Sequence, residues 1–182
     1  MKETRLKIRI FGDPALRKKA HPVKRISPAH RDILSQMASL MYAGSGIGLA
    51  APQVGIAEAM IVADIGSGLY KLINPQILKK SGRQINQEGC LSVPDICIKV
   101  KRANKVLVEA LDEEGRKVSI EAEGLLACVL QHEIDHLQAK LIVDYASFFE
   151  KLKMRKKLAA LKKRSKDEEL SESERKSCQL QL

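Results

Sequence analysis

The chain has no tryptophan, and only three tyrosines and three phenylalanines among its 182 residues. So few rings give little on which nucleic-acid bases can stack, so sequence-specific reading of single-stranded RNA is not expected. No apolar run approaches the ~20 residues of a membrane span. Residues 1–20 contain no signal-peptide core and carry Glu3 and Asp13, so neither a membrane nor export is expected and the expected location is the cytoplasm. The four cysteines, Cys90, Cys97, Cys128 and Cys178, form no C-x-x-C pair. Without an export signal they are expected as reduced thiols, any special one being a ligand or a nucleophile. A Gly-Lys-Ser/Thr phosphate loop is missing. The glycines of residues 44–55 are not in the order of a dinucleotide fingerprint. Acidic residues are absent between Lys151 and Lys166, where nine basic ones stand, and the net charge is +10. Such a run is either a solvated face or an attraction for a polyanion.

What is present is enough for one folded domain with an extension. Hydrophobic residues make up 45%, which supplies a core and excludes wholesale disorder. Residues 1–26 read as an irregular entry with a turn at Gly12-Asp13-Pro14. Ser27 as N-cap and Pro28 at the first position open a helix. Ile33, Leu34, Met37, Leu40 and Met41 give it a core stripe, and Gly44 ends it. Residues 44–55 read as a tight loop, or as a strand flanking a substrate with Gln53 at its tip. Strands are expected over Met60–Ile65 and Leu69–Asn74, continuing at Ile77–Leu78. A hairpin joins Lys105–Leu111 to Arg116–Ala122. Helices follow over Leu125–Gln138 and about Ala146–Arg164, and residues 165–182 are expected to fray. We therefore expect a single catalytic domain over residues 1–146, with a basic helix and tail over residues 147–182.

The segment Gln131-His132-Glu133-Ile134-Asp135-His136 contains H-E-x-x-H. At ~3.6 residues per turn, positions i and i+4 share a helix face, so His132 and His136 aim two imidazoles at one point beside the Glu133 carboxylate. This arrangement suits a divalent metal with a base next to its water. Two ligands fall short of the usual three, and the third is sought among the cysteines. Cys90 stands out by context, in Gln87-Glu88-Gly89-Cys90-Leu91-Ser92-Val93-Pro94. A thiolate there completes a Cys-His-His set with one position open. Cys97, Cys128 and Cys178 read as small core residues.

Three segments in this order resemble the signature motifs of the peptide deformylase family. They are Gly46-Ile47-Gly48-Leu49-Ala50-Ala51-Pro52-Gln53, Glu88-Gly89-Cys90-Leu91-Ser92 and Gln131-His132-Glu133-Ile134-Asp135-His136. The likeness spans roughly residues 1–165, including Gly12-Asp13-Pro14. It implies removal of the formyl group from the N-terminal formyl-methionine of new polypeptides. It also implies an α+β fold with mixed, largely antiparallel sheets around a central metal-binding helix, and a C-terminal basic helix. Fe(II) is the implied ion, with Zn(II) or Ni(II) as substitutes. Zinc suits Cys and two His equally by ligand chemistry.

Carried over by position, Cys90, His132 and His136 are the implied metal ligands and Glu133 the acid–base group. Gln53, through its amide, and Leu91, through its backbone N–H, are the implied oxyanion donors. Backbone near Gly48 and Gly89 is expected to pair with an extended peptide. Ile47, Leu125, Cys128 and Val129 are expected to form an apolar slot for the methionine side chain, since the positions three and four before His132 lie on its face. Arg102 is a candidate partner for Glu88 or Asp135. Cys97 stands where some members carry a large polar residue, which puts one peptide contact in doubt. The basic helix resembles one that docks on the ribosome. Two other readings stay open on the residues alone: a zinc peptidase sharing H-E-x-x-H, and an RNA- or ribosome-binding module with a structural metal.

Overall fold

The structure is a computed structural model that describes residues 6–166. The expectation of a frayed tail falls, from residue 167 on, outside the described residues, as does Cys178. Helix α1 spans Pro28–Ala43, with Ser27 as N-cap and Gly44 as C-cap. The Ser27 backbone N–H donates to His30 Nδ1 at 3.0 Å, so the third helical residue closes the first turn. Leu34, Met37 and Met41 are buried along one face, as the apolar spacing predicts.

Seven strands follow. β1 is Gly48–Ala50, β2 Met60–Ala63, β3 Tyr70–Ser81, β4 Gln84–Cys90, β5 Val93–Arg102, β6 Lys105–Leu111 and β7 Lys117–Glu123. Five form one sheet in the order β1-β2-β3-β6-β7, and β4 and β5 form a second. All strand pairs are antiparallel, and an isolated parallel bridge joins His21 to Glu58. The glycine-rich segment thus forms an edge strand, β1, followed by a single tight turn over Ala51–Val54.

Two features depart from the expected strands. β3 runs unbroken through Pro75. Its ladder to β6 shifts register between Ile73 and Gln76, which is where a residue without an N–H is tolerated. Asn74 there has φ +53°; its side chain accepts from Val23 N at 2.8 Å and donates to Val23 O at 2.9 Å. The second departure is the β4–β5 hairpin, which lies outside the expected strands. Ile96, Ile98, Val100 and Arg102 alternate inward along β5, so a period of two was present.

Helix α2 spans Gly124–Leu137. Gly124, at φ +59°, makes the switch from strand to helix, a conformation that costs a Cβ-bearing residue. Ala127, Val129, Leu130 and Leu137 pack among side chains of the large sheet, and Cys128, Gln131, Glu133 and His136 are buried as well. α2 is therefore a core helix enclosed on most sides. Helix α3, Phe148–Lys166, rests Met154, Leu158 and Leu161 on the cluster under β5. Lys151, Lys153, Arg155, Lys156, Lys157, Lys162 and Lys163 are exposed. Among the described residues Cys90 and Cys128 are free, buried thiols.

Candidate metal centre

Helix α2 and the end of β4 bring three candidate ligands together, one thiol and two imidazoles. Cys90 Sγ lies 3.2 Å from His136 Nε2, which lies 3.2 Å from His132 Nε2, and the three ligand atoms fall within 4.8 Å of one another. Bonds of ~2.0–2.3 Å at tetrahedral angles set ligand atoms about 3.3–3.8 Å apart, so the set fits a small divalent ion. The donor chemistry fits too. Glu88 Oε2 accepts from His132 Nδ1 at 2.8 Å, which leaves the Nε2 lone pair facing the other two ligands.

Around the ligands stands a buried charge network. Glu88 and Arg102 form a two-pronged pair, Nε to Oε1 at 2.5 Å and Nη2 to Oε2 at 2.8 Å. Arg102 Nη1 also donates to Asp135 Oδ2 at 2.8 Å, which accepts from Tyr145 Oη at 2.6 Å. Arg102 therefore meets both of its candidate partners. Burial opposes the Glu88 charge, but the bonds from Arg102 and His132 win and hold its carboxyl at about 2. Burial also opposes charge on both imidazoles. His132 is nonetheless held above the ordinary range by its bonds to Cys90 and Glu88, while His136 is pushed below it by burial and by His132.

Glu133 sits apart from that network. It is 4% exposed, its Oε2 has no hydrogen-bond partner among the described residues, and burial pushes its carboxyl up to about 7. Gly48 lies against it, so that a Cβ built at Gly48 would overlap the Glu133 carboxylate.

A cavity of about 230 Å³ opens beside Cys90, His132 and Glu133. Ile47, Gly48, Gly89, Leu125, Cys128 and Val129, all expected to meet a substrate, line it together with Gln53 and Leu91. The Gln53 amide is fixed at both ends. Its Oε1 accepts from Ala50 N at 2.8 Å, and its Nε2 donates to Ser92 Oγ at 3.1 Å and Cys90 Sγ at 3.5 Å. The sequence alone assigns no task to Ser92 or Tyr145. Ser92 is fully buried and orients Gln53, while Tyr145 holds Asp135 against Arg102. A hydroxyl inside a motif carries no mark of what it will bond, so neither task was legible.

Comparison with known proteins gives a consistent family. The model of the polypeptide deformylase family matches residues 5–152. A peptide deformylase of Syntrophomonas wolfei is 55% identical over 131 residues, 72% of this chain and 86% of that one. One of Carboxydothermus hydrogenoformans is 50% identical over 136 residues, 75% and 90% of the two chains. Among solved structures, the peptide deformylase of Thermus thermophilus superposes with a TM-score of 0.83 at 37% identity, covering 87% of this chain and 98% of that one. The enzyme from Synechococcus elongatus, solved in complex with actinonin, gives 0.80 at 40% identity, covering 86% and 90%.

Proposed function

The chain belongs to the polypeptide deformylase family, enzymes that remove the N-terminal formyl group of nascent peptides, and from that premise we propose that it works through a divalent metal held by Cys90, His132 and His136. The observation that carries the proposal is the convergence of those three ligands beside a cavity into which an unpaired, buried carboxylate is set. A metal bound there supplies a Lewis acid and lowers the pKa of water towards ~7. Iron(II) is the proposed ion, with zinc or nickel able to replace it, since thiolate and imidazole suit all three.

The protein's own groups then divide the work. Glu133 takes a proton from the attacking water and passes it to the amine nitrogen as the carbon–nitrogen bond breaks, which leaves formate and a free methionyl amine. A carboxyl raised towards 7 suits that double role. The Gln53 amide, exchanging its 3.5 Å contact to Cys90 Sγ for the substrate, and the Leu91 backbone N–H donate to the oxygen that gains charge, a contribution of ~3 kcal/mol for each such donor. Gly48 lies on an edge strand, and backbone there and at Gly89 pairs with the extended peptide as an added strand does. Ile47, Leu125, Cys128 and Val129 form the slot for the methionine side chain.

We further propose that residues 1–146 form the catalytic unit and residues 147–182 a basic extension that meets the ribosome. Support for the latter is the run of exposed lysines on α3, which favours an anionic partner. No described helix is long and apolar enough to cross a membrane, and the cytoplasm is the proposed location.

Two measurements test the proposal. The protein loaded anaerobically with iron should release formate from formyl-Met-Ala-Ser, and Cys90→Ser should lose both metal affinity and release. Full metal occupancy without formate release would overturn it. Gly48→Ala tests the fit around the base. The added methyl must displace the Glu133 carboxylate. A misplacement on the ångström scale costs about 10²-fold in rate, and overpacking costs ~1–3 kcal/mol in stability. Activity within a factor of two of wild type would mean that Glu133 need not stand where it does.

A further inference from the structure

We infer that Cys128 is a positioning residue for His132, acting through the Glu88 carboxylate, and not only a wall of the methionine slot. The inference rests on the metal-dependent reading above and assigns to this chain's own thiol a task within it. Glu88 is 1% exposed. An ionised carboxylate offers about four acceptor positions, and at Glu88 all four are used. Oε1 accepts from Arg102 Nε at 2.5 Å and from Cys128 Sγ at 3.2 Å. Oε2 accepts from Arg102 Nη2 at 2.8 Å and from His132 Nδ1 at 2.8 Å. Each oxygen thus has one donor from the guanidinium and one from α2.

The geometry gives the thiol its consequence. Cys128 and His132 stand one turn apart on α2, and Glu88 stands two residues before Cys90 on β4. The carboxylate therefore ties together the two elements that supply the ligands. The guanidinium fork fixes the carboxylate within its own plane but does not tie it to α2. The Cys128 thiol adds that tie at the second oxygen, because it holds Oε1 to the same helix that Oε2 already meets. Burial and the Glu88 charge push the thiol up to about 12, so the sulfur keeps the hydrogen it donates. The same side chain lines the cavity with Leu125 and Val129. A substrate side chain seated there presses on a group already bonded to the carboxylate behind His132.

The alternative is a small buried residue that matters only by volume. Cys128→Ser keeps a donor. Cys128→Val and Cys128→Ala remove it, one with slightly more volume and one with less. For each we would measure zinc affinity by competition with a chelator, the visible bands of the cobalt-loaded protein, and kcat and KM on formyl-Met-Ala-Ser. Donors behind a metal-bound histidine are worth about 10–100-fold in affinity or activity. A weak thiol donor belongs at the lower end, so Val and Ala should each lose about tenfold in zinc affinity and in kcat, with shifted cobalt bands. Serine should keep zinc affinity within about threefold of wild type, with unshifted bands, whatever its polar hydroxyl does to KM in the slot. Should Ala fail to fold, the contrast of Val with Ser carries the test. Equal behaviour of Ser and Val, or changes confined to KM, overturns the inference while the wild-type enzyme still works. A wild-type protein that binds no metal overturns the parent reading, and this inference with it.

Discussion

Replacing Glu133 with glutamine is expected to lower formate release by about 10²–10⁴-fold, the range for a positioned acid–base group, while metal affinity and thermal stability stay close to wild type. The side chain keeps its shape, so the cavity and the Gly48 contact survive. It loses the ability to hold a proton taken from water, which is the property the reaction needs. Stability should hold for a separate reason. Glu133 Oε2 has no partner among the described residues, and burial already pushes the carboxyl up to about 7. The carboxylate is thus strained by desolvation where it sits, and a neutral amide relieves that cost even if one of its own hydrogens goes unbonded. The combination separates this reading from a structural metal, for which Glu133 has no task and turnover is not at issue. Formate release, metal content and a melting curve on one preparation decide it. A variant that keeps more than about a tenth of the wild-type rate would remove Glu133 from the chemistry.

The reasons why parts of the chain were legible differ from residue to residue. Helix α1 was readable from Ser27, Pro28 and an apolar stripe, because caps and period are local properties. The proposed ligand set was readable as a candidate because H-E-x-x-H fixes two of its members on one helix face, and Cys90 sits in a glycine-flanked context. β4 escaped notice because Gln84 to Glu88 is mostly polar, and its inward face is built from Glu88 and Asn86, not from aliphatic residues. That polarity makes sense only once Arg102, His132 and Cys128 are seen to meet Glu88. The unbroken course of β3 through Pro75 was hidden for a similar reason. It depends on Val23, 51 residues away from Asn74, which satisfies the bulge. In both places a local rule was overridden by a distant partner, and a single sequence does not reveal which distant residue will arrive.

Arg102→Met is expected to be the most destabilising single change near the site. The guanidinium is 4% exposed and faces a carboxylate that is 1% exposed. Methionine fills the space of the stem, so the loss is electrostatic more than steric. Removing one partner of a buried pair leaves a charge without compensation and costs ~3–5 kcal/mol, which in a chain of this size lowers Tm by roughly 10 °C or more. Asp135 suffers less, because it keeps the Tyr145 hydroxyl at 2.6 Å and is 20% exposed, so water reaches it. The double variant Arg102→Met with Glu88→Gln should recover at least half of the lost stability, since it removes the stranded charge as well. It should not recover function. His132 would then be backed by a neutral amide instead of a carboxylate, and metal affinity should remain about 10–100-fold below wild type. Because bound metal stabilises the folded state, the melts must be run both with zinc and with chelator, and the stability claim is read from the chelated set. A single variant that costs under about 1 kcal/mol there would mean that Glu88 finds another partner or a proton at little cost. A double variant that regains metal affinity together with stability would show that the carboxylate serves only to balance the arginine and does nothing for the histidine.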